Sequence, residues 1–260
     1  MKNLLEYNSV EISFNGSAVT HGVSFALQEG EILGIVGESG SGKSSLLKAA
    51  LGLLGNDGLV TRGDIFFDGK NLTDLSEREM RNIYGAKIGM IFQDAKSSLC
   101  PVRTIGAQIH ESMSAHMKIS KSKSKALALE MFDKLELKNG ERIWNSYPFE
   151  LSGGMNQRVG IAVAMLMKPP LLLADEPTSA LDVSAQKQVI EEMLRLREFF
   201  GTAIMLVTHD ISVVSAMADN ILVLKDGEIM EYGSAKRVLN EPENSYTKKL
   251  LAAVPRLKKV

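Results

Sequence analysis

The sequence of 260 residues has a single cysteine, a single tryptophan and only seven prolines. Cys100 alone forms no internal disulfide and builds no zinc or iron–sulfur centre by itself. No apolar run approaches the roughly eighteen residues a membrane span needs, so no segment is expected to cross a membrane unaided. The start, Met1-Lys2-Asn3-Leu4-Leu5-Glu6, has no long apolar stretch and no small-residue cleavage site, and no signal peptide is expected. An excess of one charge is missing too. With 30 Lys+Arg against 31 Asp+Glu the formal net charge is −1, which excludes a strongly basic nucleic-acid binder or an acidic solvating tail as the main design. What is present is 45% hydrophobic residues, in a length that gives one large domain or two small ones an ample core. The expectation is a globular cytoplasmic protein.

Apolar runs of strand length alternate with longer helical patterns. Residues 32–36, 88–92, 171–174 and 203–207 are nearly continuous in apolar character, as a strand covered on both faces requires. Between 184 and 200, Val189, Ile190, Met193, Leu194 and Leu196 share one helical face. This alternation predicts an α/β domain with a mostly parallel sheet. Residues from about 7 to 30 and 60 to 70 have β-like patterns with turn signals, among them Asp68-Gly69, which predicts an antiparallel piece beside it. Residues 104–142 are polar and helix-rich. Their Ser120-Lys121-Ser122-Lys123-Ser124-Lys125 run has no interleaved aromatics, so it reads as an exposed loop and helix start rather than a nucleic-acid patch. Residues 126–137 have helical spacing, and 94–157 read as a helical insertion. A short amphipathic helix is expected over 245–254, followed by a solvated tail bearing Arg256, Lys258 and Lys259.

Gly37-Glu38-Ser39-Gly40-Ser41-Gly42-Lys43-Ser44 fits G-x-x-x-x-G-K-[ST], after a predicted strand and before a helix expected over 45–54. Glycines let backbone N–H groups turn inward around phosphate oxygens, the helix N-terminus adds partial positive charge, and Lys43 adds a full one. Gly37, Ser39, Gly40, Ser41, Gly42, Lys43, Ser44 and Ser45 are the candidate nucleotide contacts. The Ser44 hydroxyl suits Mg²⁺. Further on, Leu171-Leu172-Leu173-Ala174-Asp175-Glu176 ends a predicted strand in two acids. Asp175 is placed to orient Mg²⁺ through water, and Glu176 to polarise the water that attacks a γ-phosphate. Ligands bind at such strand ends in open α/β sheets.

Leu151-Ser152-Gly153-Gly154-Met155-Asn156-Gln157, before a helix expected over 158–167, resembles the LSGGQ-like signature of ATP-binding cassette ATPases. The resemblance covers residues 5–255 and implies a P-loop (RecA-like) core with an antiparallel β subdomain (1–93 and 158–232), a helical subdomain (94–157) and a C-terminal helical tail (233–260). It implies ATP and Mg²⁺ as cofactors, and nucleotide sandwiched between two ATPase subunits. Ser152, Gly153, Gly154 and Gln157 then contact the partner's nucleotide, and Gln93 matches the glutamine that reaches Mg²⁺ and attacking water. Ser179-Ala180-Leu181-Asp182 matches the D-loop at the dimer interface, with Ala180 and Asn156 near that face. His209 matches the switch histidine on the γ-phosphate, and Phe14 the aromatic that stacks on adenine. Alone, His209 reads as a strand-end residue and Phe14 as strand packing.

Gly37–Ser44, Ile91-Phe92-Gln93-Asp94, Tyr147-Pro148-Phe149-Glu150-Leu151, Ala174-Asp175-Glu176-Pro177-Thr178 and the tail Glu241-Pro242…Tyr246-Thr247-Lys248-Lys249-Leu250-Leu251 resemble the oligopeptide/dipeptide/nickel importer subgroup. Ser98-Leu99-Cys100-Pro101 departs from that subgroup's Ser-Leu-Asn-Pro, and Cys100 is assigned no chemistry. The chain lacks the cysteine-bearing extension of many peptide-importer ATPases, and in that it resembles the short ATPases of nickel and metal-chelate importers. The resemblance implies integral membrane permease subunits as partners, a second ATPase that is a paralogue or a second copy, and a substrate-binding protein in the same system without direct contact. It implies a peripheral place on the cytoplasmic face of the membrane and no nucleic-acid partner. Two alternatives stay open: a soluble cassette ATPase of DNA repair or translation, and a regulatory module that holds ATP without hydrolysing it. A small kinase or GTPase would leave the signature without a purpose.

Overall fold

The computed structural model describes residues 2–179 and 181–253. The chain opens with β1 (Asn3–Phe14), β2 (Ser17–Gln28) and β3 (Ile32–Val36), then α1 (Lys43–Ala49), β4 (Gly58–Phe67) and β5 (Lys70–Asn71). Next come α2 (Glu77–Arg81), β6 (Ile88–Ile91), α3 (Ala95–Ser98), α4 (Ile105–Ser114), α5 (Lys121–Lys134) and α6 (Gly140–Asn145). They are followed by α7 (Gly153–Met165), β7 (Leu171–Asp175) and α8 (Val183–Phe200). The last elements are β8 (Ala203–Thr208), α9 (Ile211–Met217), β9 (Asn220–Lys225), β10 (Glu228–Ser234), α10 (Ala235–Asn240) and α11 (Ser245–Ala252). Two compact units divide the chain: Met1–Ser76 with Ala203–Val260, and Glu77–Thr202.

The first unit holds an antiparallel sheet in the order β2-β1-β4-β5 and a run of strands in the order β10-β9-β3-β8. β3 is parallel to both β9 and β8, and β10 closes the edge antiparallel to β9. The continuous apolar runs behave as expected, with every residue of β3 and β8 buried. Two-residue turns set the antiparallel registers. Asn15-Gly16 joins Phe14 to Ser17, and Asp226-Gly227 joins Lys225 to Glu228, all four turn residues having positive φ. Two left-handed residues match the twist of the flanking strands, a conformation Asn-Gly and Asp-Gly adopt readily. Tyr7 on β1 is fully buried, stacks on Phe25 with ring centroids 4.4 Å apart, and donates its O–H to the Leu46 carbonyl of α1 at 2.6 Å.

The second unit pairs β6 and β7 in parallel, with α7 so close to β6 that a Cβ on Gly89 would lie 2.7 Å from the Ala164 carbonyl. α3 to α6 lie inside the expected insertion, where Ile105, Ile109, Met131, Phe132 and Trp144 are buried. The Lys-Ser run forms the first turns of α5. Ser120 caps that helix by accepting from the Lys123 N–H at 3.3 Å, and Ser124 is buried. Among the described residues no helix is long and apolar enough to cross a membrane.

Three helix boundaries differ from expectation. α1 begins at Lys43, two residues before 45, and stops at Ala49 rather than 54 because the chain turns through the left-handed Gly52 and Gly55. α7 begins at Gly153 rather than 158, because Ser152 acts as its N-cap. α11 ends at Ala252, and the tail with Arg256, Lys258 and Lys259 lies outside the described residues.

Tyr7→Phe removes the tie from β1 to α1 and keeps the ring stack. It is expected to lower unfolding stability by about 1 kcal/mol, measured by denaturant titration; an unchanged midpoint contradicts the tie.

Candidate nucleotide site

The phosphate-binding motif forms the loop between β3 and α1. Lys43 is 5% exposed. Its ammonium donates to the Gly37 carbonyl at 2.9 Å, the Glu38 carbonyl at 2.7 Å and Ser41 Oγ at 3.4 Å. The charge is thus held over the loop by two backbone carbonyls and a hydroxyl. Two glycines are required by geometry. A Cβ on Gly37 would lie 2.0 Å from the Leu224 carbonyl, and Gly42 has φ +97 beside Thr20 and Val19. Ser39 and Gly40 are exposed, and Ser44 and Ser45 are half-buried on the first turn of α1.

Parallel register brings a second predicted residue to the same strand ends. Val36 pairs with Thr208, so Gly37 and His209 each leave their strand one residue later. His209 is exposed, and Asp210 behind it caps α9 by accepting from the Ser212 N–H at 2.8 Å. Phe14 closes β1 half-buried, its ring so near Gly58 that a Cβ there would meet it at 2.6 Å. One side of the ring packs on the strand, and the residue keeps some exposed surface.

In the second unit Ile91 pairs with Ala174, so Gln93 and Glu176 emerge side by side two residues on. The Gln93 amide donates to Glu176 Oε2 at 3.4 Å. Asp175 is 6% exposed at the end of β7. Glu176 has φ +45, uncommon for a non-glycine residue, and its carbonyl accepts from the Ser179 N–H at 3.2 Å. Backbone held in this sparsely populated region re-aims a side chain at the cost of local strain. Asp182 is exposed and caps α8, accepting from the Ala185 N–H at 2.9 Å. Ala180 lies outside the described residues. A cleft of about 120 Å³ is lined by Gln93, Gly153, Gln157, Pro177 and Leu181, so it joins three of the sequence motifs.

The signature forms the first turns of α7. Ser152 accepts from the Met155 N–H at 3.3 Å, and Ser152 and Gly153 are exposed, which leaves a helix N-terminus open to an anion. Gly154 lies against Ala185 of α8. Two signature residues point inward. Gln157 is 5% exposed and its amide donates to the Phe92 carbonyl at 3.5 Å. Asn156, expected near a dimer face, is fully buried. Its amide donates to the carbonyls of Pro148 at 2.9 Å, Leu151 at 3.2 Å and Ser152 at 3.3 Å, so it shapes the signature turn from beneath.

Sequence reasoning missed the tether beneath α7. Arg158 pairs with Glu192 of α8 and also donates to the Leu135 carbonyl at 2.6 Å. Glu192 is 2% exposed, and its Oε2 is buried without a hydrogen-bond partner among the described residues. Burial pushes its carboxyl up to about 7, against the opposing pull of Arg158. No spacing rule pairs residues on two different helices, so sequence offered no signal.

These loops at the carboxyl ends of buried parallel strands define a P-loop nucleotide-binding protein. A family model described as ABC transporter matches residues 20–179. The oligopeptide transport ATP-binding protein OppD of Bacillus subtilis (strain 168) is 45% identical over 259 residues, covering 98% of this chain and 72% of that protein. The dipeptide transport ATP-binding protein DppD of Escherichia coli (strain K12) is 42% identical over 233 residues, 90% of this chain and 71% of that one. Among solved structures, the dimeric post-hydrolysis state of the ATP-binding cassette MJ0796, bound to ADP and Pi, matches with a TM-score of 0.78 and 31% identity, over 89% of this chain and 98% of that one. The cbiO1 protein of Clostridium perfringens, part of the ABC transporter complex cbiONQ, matches with a TM-score of 0.81 and 25% identity, over 98% and 97%. The chain belongs to the ABC transporter ATP-binding family and has the ABC ATPase fold. It is an ATP-hydrolysing transporter subunit whose cofactors are ATP and Mg²⁺. The Ser44 hydroxyl and the Asp175 carboxylate are each a hard oxygen donor of the kind that ion takes.

The Glu192 pKa makes a stability prediction. A carboxyl raised from its ordinary 4.5 to about 7 on folding favours the folded state fully below about pH 4.5, and that contribution is lost as pH rises to about 7. Denaturant titrations at about pH 5 and about pH 8 should show stability falling with pH, and Glu192→Gln should flatten that slope. The same slope in the variant contradicts the assignment.

Proposed function

We propose that this chain powers an importer of short peptides by ATP-driven closure against a second ATPase subunit. The observation that carries the reading is the in-register pairing of Val36 with Thr208 and of Ile91 with Ala174, which delivers the expected residues to strand ends. Lys43 and the loop amides of 37–45 bind the phosphates, Ser44 and Asp175 hold Mg²⁺, and Phe14 stacks on adenine. The metal neutralises developing charge on the phosphates when bound. Glu176 takes the proton of the attacking water, Gln93 orients that water through its contact with the Glu176 carboxylate, and His209 steadies the γ-phosphate. Phosphoryl transfer asks chiefly for this positioning and charge neutralisation. Ser152, Gly153 and Gly154 present an open helix N-terminus to the nucleotide of the opposite subunit, and Asp182 sets the start of α8 at that interface. Gln157 supports this surface from within, given its burial.

The partner ATPase is a paralogue or a second copy. Integral membrane permease subunits dock on the loop after Gln93, a reading supported by the exposed apolar side chain of Val102 at 79%. The chain then works at the cytoplasmic face of the membrane, and a substrate-binding protein in the same system delivers cargo without touching it. Peptide cargo is favoured over nickel or metal chelates because OppD and DppD are named for oligopeptide and dipeptide transport.

Glu176→Gln should bind ATP normally and lose turnover by about a hundredfold or more; turnover like that of the wild type removes Glu176 from its role. The complex purified with its permease should load vesicles with labelled di- or oligopeptide only when ATP is supplied, and loading of nickel alone would overturn the cargo.

A further inference from the structure

The subgroup-like tail is not used by the chemistry above, yet it reaches the phosphate loop. We propose that Tyr246, on the C-terminal helix α11, is a positioning residue for that loop and acts through the backbone of Glu38. The Glu38 N–H donates to Tyr246 Oη at 3.3 Å. The carbonyl of the same residue accepts from the Lys43 ammonium at 2.7 Å. Glu38 is therefore gripped at both backbone ends, by the tyrosine on one side and by the phosphate-binding lysine on the other. Loosening the tyrosine end loosens the carbonyl that aims the ammonium.

The tyrosine stands on a fixed platform. Asn244 caps α11 by accepting from the Tyr246 N–H at 2.8 Å. Glu231 of β10, 7% exposed, accepts from the N–H groups of Glu243 at 3.0 Å and Asn244 at 3.2 Å, and Arg237 reaches it at 3.4 Å. Leu250 and Leu251 line an apolar seam with Val36, the last residue before the loop, and with Ile211 and Val214 of the helix after His209. The Lys225 ammonium lies 5.2 Å from the centre of the Tyr246 ring. Burial, with the Glu38 carboxylate nearby, holds the phenol above its ordinary value of 10, so it stays protonated at neutral pH. Against this platform Glu38 itself is exposed, and the tyrosine supplies its N–H with a fixed acceptor.

This inference rests on the reading of residues 37–45 as the ATP site. In the full chain, Tyr246→Phe removes one hydroxyl and keeps the ring. It should raise the MgATP dissociation constant and KM about two- to tenfold, the worth of one lost hydrogen bond, with kcat at saturation and the melting temperature of the nucleotide-free protein close to wild type. A wild-type dissociation constant overturns the proposal, and so does a lowered melting temperature with unchanged affinity, which would make the tyrosine a structural prop. Lys43→Ala in the same assay separates the two readings. If it loses ATP binding while Tyr246→Phe keeps it, only the role of Tyr246 fails; if it too binds ATP like the wild type, the ATP-site reading fails and takes this inference with it.

Discussion

Parallel pairing in register is the constraint on which the site depends. Val36 opposite Thr208 sends the phosphate loop and His209 out from one pair of strand ends, and Ile91 opposite Ala174 sends Gln93 and Glu176 out from another. A slip of one residue in either pair would turn every side chain of the strand to its other face. β3, β7 and β8 are buried along their whole length, so close packing on both faces, rather than a polar–apolar alternation, opposes such a slip. The core is thus what places the reactive loops.

Around those strand ends, buried polar groups do the fine placement. Lys43 is folded over its own loop by two carbonyls and a hydroxyl. Asn156 binds three carbonyls beneath the signature turn, and Arg158 ties the same helix to Glu192. Burying such groups is expensive unless they are partnered, so the bonds made by the Lys43 ammonium, the Asn156 amide N–H groups and Arg158 favour one loop geometry over its alternatives. Glu176 adds the opposite device, a left-handed backbone at the tip of β7 that its neighbours must hold in place. Loops held on a well-tied base suit the proposed closure of this surface against another subunit.

Much of this was legible in the residues themselves. The four apolar runs are strands, and the phosphate motif lies between a buried strand and a helix as its pattern requires. Helix ends were less legible, because they depend on single residues. Ser152 starts α7 five residues before the apolar pattern does, and the turn through Gly52 ends α1 early. Contacts between distant positions left no trace in the spacing. Arg158 with Glu192, Tyr7 with Leu46 and Tyr246 with Glu38 are all products of tertiary packing. Asn156 shows the limit from the other side, since its place in a functional motif suggested a surface role and its burial gives it an internal one.

ATP is proposed to close this chain against a second ATPase across the signature surface. The most direct test is the solution mass of Glu176→Gln with ATP and Mg²⁺, measured for the chain alone and for the chain mixed with the ATPase that co-purifies with its permease. The expected result is a shift from one chain to two in one of these samples, reversed when nucleotide is removed. A chain that binds ATP and keeps the mass of a single copy in both would contradict it.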